Sequence, residues 1–262
     1  MPEGDTIYRT AARLAQAIEG RELLQINLPR WAGTTPLVGE LVTSVAPVGK
    51  HLFIEFSGGR VLETHMKMTG SWHLYRSGER WQRARHRMRA LLVVDGWEAV
   101  CFDAPVVRLA TRSQLRRELE HLGPDLTPGA TDEQLVECVD RMGRLVDPAT
   151  PLAEVLLDQR ICCGVGNVYK SEVCWALEID PGTPLGALDP ATRFAMVRTS
   201  SDLLAANLDH AARVTVRGGL AVYGRAGQPC RRCGQQIQVA HTGPHARVTF
   251  WCPGCQQVPR GG

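Results

Sequence analysis

The clearest chemistry lies near the C-terminal end of the 262-residue chain, where Cys230-x-x-Cys233 and Cys252-x-x-Cys255 stand eighteen residues apart. Two such pairs at this separation suit a tetrahedral four-cysteine zinc site on a β-hairpin, each pair forming a knuckle that offers two thiolates to one ion. From Tyr223 onward Gly, Pro, Gln and Cys dominate, and no apolar core is available. Metal binding would therefore supply the folding free energy of that tail. Four thiolates close the coordination sphere, so the single zinc ion is structural. The other five of the nine cysteines, Cys101, Cys138, Cys162, Cys163 and Cys174, stand among apolar residues and read as small core residues of a reducing compartment. Between the pairs lies Arg247-Val248-Thr249-Phe250, an arginine without acidic neighbours on a metal-held hairpin, well placed to meet a phosphate.

Charge points the same way. The net charge of +3 is small, but His210–Gly262 holds seven arginines and no Asp or Glu, which leaves the rest of the chain about four units negative. A second cluster, Arg76–Arg89, has six arginines against one glutamate. Local excesses of this kind are what a phosphate backbone attracts. Only three of the thirty basic residues are lysine: Lys50, Lys67 and Lys170. A chain that uses arginine almost everywhere keeps three compact, mobile ammonium groups, whose chemistry differs.

These groups must be positioned by elements that the patterning predicts. Asp5 and Thr6 can cap a helix in which Ile7, Ala11, Leu14, Ala15 and Ile18 recur at helical spacing and which Gly20 ends. Strand-like alternation follows at Leu52–Phe56, Arg60–His65, Met88–Val94 and Glu98–Phe102. From about Leu126 the period is helical: Thr131 and Gln134 make a capping box for a helix to about Met142, Pro151 opens Leu152–Ile161, Asn167 caps Val168–Glu178, and a long helix runs from Pro190 to Ala211. No apolar run approaches the ~18 residues that span a bilayer, and Met1–Thr10 has no signal-peptide pattern. The expected location is cytoplasmic, nucleoid-associated during work on DNA.

Four segments taken together closely resemble the formamidopyrimidine-DNA glycosylase/endonuclease VIII family: the opening Met1-Pro2-Glu3-Gly4, the run from Gly164 to Glu172, Val222-Tyr223-Gly224-Arg225 leading into the cysteines, and Thr249–Gln256. The resemblance spans the whole chain. It implies an α+β multidomain fold: an N-terminal helix plus β-sandwich (1–125), a helix–two-turn–helix domain (126–222) and a zinc finger (223–262). It implies a bifunctional DNA glycosylase/AP lyase acting on damaged double-stranded DNA, and with no sign of oligomerisation in the sequence a monomer is the default expectation. Removal of Met1 would expose the secondary amine of Pro2, whose ordinary α-amino range near ~8 leaves some free base at neutral pH. That amine matches the family's nucleophile, and Glu3 its general acid/base. Lys50 matches a phosphate-contacting lysine of the β domain. Asn167 and Lys170 match the helical DNA clamp, with glycines admitting a phosphate to a helix N-terminus. Arg247 matches the finger arginine that grips the phosphate beside the extruded nucleotide. His65–Gly70 aligns with the intercalation loop, with Met68 as the wedge and Lys67 and Thr69 beside it.

Two departures indicate the branch. Where the purine branch carries an Asp-Pro-Arg-Arg-Phe-Gly loop, this chain reads Asp103-Ala104-Pro105-Val106-Val107-Arg108. The segment Ala212–Val222 is also short for that branch's base-capping loop. The expected substrates are oxidised pyrimidines such as thymine glycol, dihydrouracil and 5-hydroxylated cytosine. The alternatives are an 8-oxoguanine/formamidopyrimidine-type glycosylase, a non-catalytic damaged-DNA-binding protein, and an AP lyase with little base excision. The last follows from Asp5-Thr6, which replaces the Pro-Glu usual in the family.

Overall fold

The computed structural model describes residues 2–31, 37–210 and 212–258. Met1, Ala211 and Arg260, which entered the sequence reading, lie outside the described residues. The chain divides into two compact units, Met1–Glu120 and His121–Gly262.

The first unit opens with helix α1, Gly4–Ile18. Ile7, Ala11, Leu14 and Ile18 fall on one stripe, and all are at most 1% exposed. The start corrects the sequence reading. Glu3, not Asp5 or Thr6, occupies the N-cap position in an extended conformation, and its carbonyl accepts the Thr6 and Ile7 amides at 2.9 and 3.1 Å. Asp5 is buried in the first turn and pairs with Arg9 one turn on, at 3.2 Å.

Eight strands follow: β1 Gln25–Asn27, β2 Val42–Val48, β3 His51–Phe56, β4 Arg60–His65, β5 Ser71–Arg76, β6 Met88–Val94, β7 Trp97–Phe102 and β8 Val106–Thr111. They form two antiparallel four-stranded sheets, ordered β1-β6-β7-β5 and β2-β3-β4-β8. Period-two alternation turns one apolar face of each sheet to a shared core, and the alternate positions Phe53 and Val61 in one sheet and Leu91 and Val100 in the other belong to smaller buried clusters. Leu52, Ile54 and Leu62 from one sheet join Ala90, Leu92 and Cys101 from the other in a single core, which α1 completes. Helix α2, Arg112–Leu119, closes the unit from a Thr111/Gln114 capping box.

In the second unit α3, Asp132–Leu145, starts from the expected Thr131/Gln134 capping box. Helix α4 covers only Leu152–Val155, against the expected run to Ile161. The chain leaves helical geometry there because side chains take its backbone groups: Asp158 Oδ1 accepts the Arg160 amide at 2.9 Å, and Gln159 Nε2 donates to the Leu157 and Val165 carbonyls. Helix α5 is Asn167–Ala176 with Gly166, not Asn167, as its N-cap. Helix α6, Pro190–Ala205, is capped by Asp189, which accepts the Thr192 amide at 2.6 Å. It stops short of residue 211 because the Asn207 side chain bridges the helix end to Val214, donating to the Leu203 and Val214 carbonyls and accepting the Val214 amide at 2.7 Å. The hairpin β9 Gln238–Thr242 and β10 Arg247–Trp251 completes the unit and packs on α5. Among the described residues no helix is long and apolar enough to cross a membrane.

Candidate functional site

In the first unit, Pro2 is half-buried immediately before α1, and Glu3 behind it is wholly buried. The Glu3 carboxylate makes no capping bond to the helix it begins. A buried carboxylate therefore stands beside Pro2 at the positive end of a 15-residue helix.

Lys50 follows Gly49, whose φ of +55° turns β2 into β3. Its neighbour His51 is held by a buried carboxylate: Nδ1 lies 2.7 Å from Glu63 Oε1. Glu63 also binds Arg108, which reaches on to Glu118 of α2. Burial by itself would raise the Glu63 carboxyl, but His51 and Arg108 together hold it below the ordinary carboxylate range. The His51 ring meets His65 edge-on at 4.6 Å. Burial, with the electrostatic influence of His51, Lys67 and Lys50, pushes His65 down to about 4. His65 is thus neutral near pH 7, and its Nδ1 accepts the Lys67 amide at 3.1 Å. Lys67 sits in the left-handed region at φ +44°. The bend it makes carries Met68 outward, 62% exposed. Thr69 Oγ1 donates to the Asp103 carbonyl at 3.1 Å. Gly70 has no room for a side chain: a Cβ there would lie 2.7 Å from Met66 Cα and 2.9 Å from Ala104 Cα. Lys50, Lys67, Met68 and Thr69 therefore belong to one neighbourhood.

The second unit holds Asn167, Lys170 and Arg247. Gly164 adopts φ +98°, and a Cβ there would meet Thr127 Oγ1 at 2.4 Å, so this glycine serves close backbone packing. Asn167 is 6% exposed, and its Nδ2 donates to the Val248 carbonyl at 2.7 Å. Lys170 is 0% exposed, with Nζ donating to the Val248 carbonyl at 3.1 Å and to Thr249 Oγ1 at 2.7 Å, which fastens the hairpin to α5. Arg247, the residue before Val248, is exposed at the start of β10. Asn167, Lys170 and Arg247 therefore form one assembly in which the first two hold the strand that carries the third.

Sequence reasoning assigned no role to Glu172, one turn of α5 further on. This carboxylate is 1% exposed and accepts the amides of Ala221, Val222 and Tyr223 at 2.8, 2.9 and 2.8 Å, and the Thr215 hydroxyl. Arg231 holds the same segment from the other side, donating to the carbonyls of Arg217, Gly218 and Leu220. The short Ala212–Val222 connection is thus tied down along its length. The available signal was a glutamate followed by the apolar run Val173–Ala176 of the same helix.

The four cysteine sulfurs lie within 4.8 Å of one another. Separations of 3.8 Å for Cys230–Cys255 and 3.4 Å for Cys233–Cys252 exclude disulfides. They approach the edge of about 3.8 Å that metal–sulfur bonds of about 2.3 Å give a tetrahedron. The donor set therefore fits one metal ion. Cys230 has two further donors on its sulfur, the Trp175 indole N–H at 3.5 Å and the Arg232 amide at 3.4 Å. The Arg232 guanidinium covers the Trp175 ring at 4.0 Å. The remaining cysteines are buried, and burial pushes the Cys138 and Cys174 thiols up to about 12, which leaves them inert.

Comparison with known proteins agrees with this arrangement. Residues 1–106 match the formamidopyrimidine-DNA glycosylase N-terminal domain. The chain is 41% identical to a protein named probable endonuclease 8 2 of Streptomyces coelicolor, over 99% of this chain and 95% of that one. It is 40% identical to the DNA-(apurinic or apyrimidinic site) lyase Nei2 of Mycolicibacterium smegmatis, over 98% and 99%. Its fold matches that of Lactococcus lactis formamidopyrimidine DNA glycosylase bound to DNA containing an AP site, with a TM-score of 0.82 at 22% identity over 97% of this chain and 99% of that one. The chain therefore belongs to the formamidopyrimidine-DNA glycosylase/endonuclease VIII family of DNA glycosylase/AP lyases.

Proposed function

We propose that the protein excises oxidised pyrimidines from double-stranded DNA through an iminium formed on Pro2. The observation that carries the reading is the buried Glu3 carboxylate beside the N-terminal proline, in a chain related to named endonuclease 8 proteins over nearly its whole length. Once Met1 is removed, the Pro2 nitrogen attacks C1′ and the C1′–base bond breaks, with its electron pair and a proton leaving on the base. Glu3 delivers a proton to the ring oxygen as the C1′–O4′ bond opens, which yields the iminium. That cation acidifies the C2′ proton, and its loss expels the 3′ phosphate by β-elimination; a second elimination removes the 5′ phosphate. Lys50 and Arg247 hold phosphates of the damaged strand, Met68 fills the gap left by the extruded nucleotide with Lys67 and Thr69 beside it, and Asn167 and Lys170 act through the hairpin. The metal is a single structural zinc ion on Cys230, Cys233, Cys252 and Cys255. The protein works as a monomer at the nucleoid, in the cytoplasm.

Two short connections support the pyrimidine preference: the Asp103–Pro105 turn and the Ala212–Val222 segment fixed by Glu172 and Arg231. A second reading, an AP lyase with little base excision, draws on Asp5 being locked to Arg9 in the first turn of α1 and on the AP-lyase name of the Mycolicibacterium relative.

Borohydride trapping tests both. On duplexes with thymine glycol or an abasic site, the parent should form a covalent adduct on each, lost when the N-terminal amine is acetylated, with the thymine glycol adduct strongly reduced in Glu3→Gln. Trapping on the abasic duplex alone would establish the second reading. An adduct that survives acetylation would remove Pro2 from the mechanism.

A further inference from the structure

The six arginines of Arg76–Arg89 have no part in the chemistry above, although they are the densest basic cluster of the first unit. The structure gives them an ordered arrangement on the connection between β5 and β6. The Arg76 guanidinium lies 3.8 Å above the Trp97 ring, and that of Arg85 lies 4.8 Å above Trp81. Trp81 is itself fixed by its indole N–H, which donates to Glu98 at 2.8 Å. Arg83 and Arg87 converge on one carboxylate: Arg83 Nη1 donates to Asp103 Oδ2 at 3.1 Å, Arg87 Nε to Oδ1 at 3.0 Å, and Arg87 Nη2 to Oδ2 at 2.7 Å. Two guanidinium groups on one carboxylate leave a net positive centre, and Arg80 and Arg85 beside it are exposed.

Asp103 connects this centre to the exposed methionine. Its backbone is left-handed, φ +53°, its amide donates to the Arg87 carbonyl at 2.9 Å, and its own carbonyl accepts from Thr69, the neighbour of Met68. Met68 is thus bracketed. On the Lys67 side stand His65 and Lys50; on the Thr69 side stand Asp103, Arg83 and Arg87. An apolar side chain that parts a base step has a phosphate backbone on each side of it. If the Lys50 side faces the damaged strand, the arginine side faces the other one. Asp103 takes Arg83 Nη1 and the Nε/Nη2 edge of Arg87, and the other N–H groups of these two planar guanidiniums, aimed by that anchor, are the ones left for phosphate oxygens.

We propose that Arg83 and Arg87, organised by Asp103 and supported by the stacked Arg85, form a second phosphate clamp that grips the undamaged strand of duplex DNA opposite the lesion. This rests on the reading of Met68 as the wedge, and it makes the enzyme's preference for duplex a property of the β5–β6 connection.

The test is the salt dependence of binding to a 20-mer carrying a tetrahydrofuran abasic analogue, single-stranded and in duplex, by fluorescence anisotropy with the parent, Arg83→Gln, Arg87→Gln and the double variant. Each substitution should lower the ratio of duplex to single-strand affinity about tenfold and reduce the slope of log K against log salt on duplex by about 0.9. Asp103→Asn keeps a side chain that tolerates the left-handed backbone and removes the organising carboxylate. It should lower the same ratio while the overall positive charge rises. Equal losses on both DNA forms would assign the arginines to the damaged strand or to a diffuse field, and no change on either would make them a solvated surface; both overturn the clamp. The ratio is read without catalysis, so a parent that fails to trap with borohydride would sink the proline mechanism and leave this result standing.

Discussion

Glu172→Gln is the most informative single substitution in the second unit. Oε1 accepts the Val222 and Tyr223 amides, and Oε2 accepts the Ala221 amide and the Thr215 hydroxyl. A carboxamide of the same shape keeps one oxygen. With that oxygen at the Oε1 position, the new NH2 faces the Ala221 amide, donor against donor. The Thr215 hydroxyl can rotate to accept, but the Ala221 N–H cannot, and Ala221 is 0% exposed. An orphaned buried N–H costs about 1–3 kcal/mol, and turning two charge-assisted bonds into neutral ones costs about 0.5–1 kcal/mol each. The sum centres on about 3 kcal/mol. For a unit of this size that lowers the melting temperature by roughly 10 °C. Calorimetry gives the shift, and hydrogen exchange at residues 221–223 should accelerate in the variant before other amides of the unit do. A melting temperature within about 2 °C of the parent, or unchanged protection at those three amides, would refute the assignment of Glu172 as the lock on the 212–222 segment.

Two further outcomes follow from the geometry, besides the trapping and strand-selectivity experiments. Removing the metal by chelation, or by Cys233→Ser, should shift Trp175 fluorescence, because its indole N–H lies 3.5 Å from Cys230 Sγ. It should also weaken DNA binding as much as Arg247→Ala does, with no additional loss when the two are combined; additive losses would mean that the hairpin keeps its shape without the ion. His65 is held at about 4 against an ordinary 6.5, so the unfolded chain takes up its proton first as the pH falls. The His65 contribution to the stability of the first unit should therefore be lost between pH 6.5 and about 4, so the fall over that range should be shallower in His65→Asn; equal thermal midpoint differences between pH 7.5 and 4.5 in the two proteins would contradict the burial argument.

Elements with strong periodicity were legible in the sequence. Arg60–His65 and Met88–Val94 are strands with the expected bounds, and Thr131 with Gln134 caps α3 as expected. β2 was not foreseen, since Thr43, Ser44 and Pro47 break its alternation and tertiary pairing with β3 makes it a strand. Helices were drawn too long where a polar side chain ends them, Asp158 after α4 and Asn207 after α6, because that competition depends on partners brought in by the fold. The four cysteines were legible from spacing alone, and they meet around one point. The partners of Lys170 were illegible: sequence shows that an ammonium is present, but not that the Val248 carbonyl and Thr249 hydroxyl accept from it. The roles of Glu63, Glu172 and Asp103 were illegible for the same reason, since each gathers donors from distant parts of the chain.

Most helices turn one side to water, and on that side sequence can drift freely. Helix α5 has no such side. Nine consecutive residues, Asn167 to Trp175, are buried, whereas the 14-residue α3 buries only Leu135, Cys138 and Met142. Its polar members are also committed in separate directions: Asn167 and Lys170 to the hairpin, Glu172 to the 215–223 segment, Trp175 to the metal knuckle. Divergence along this helix therefore has to proceed in matched sets, 170 with 249, 172 with 215, 175 with 232, and three regions of the chain that look independent in sequence are bound to change together.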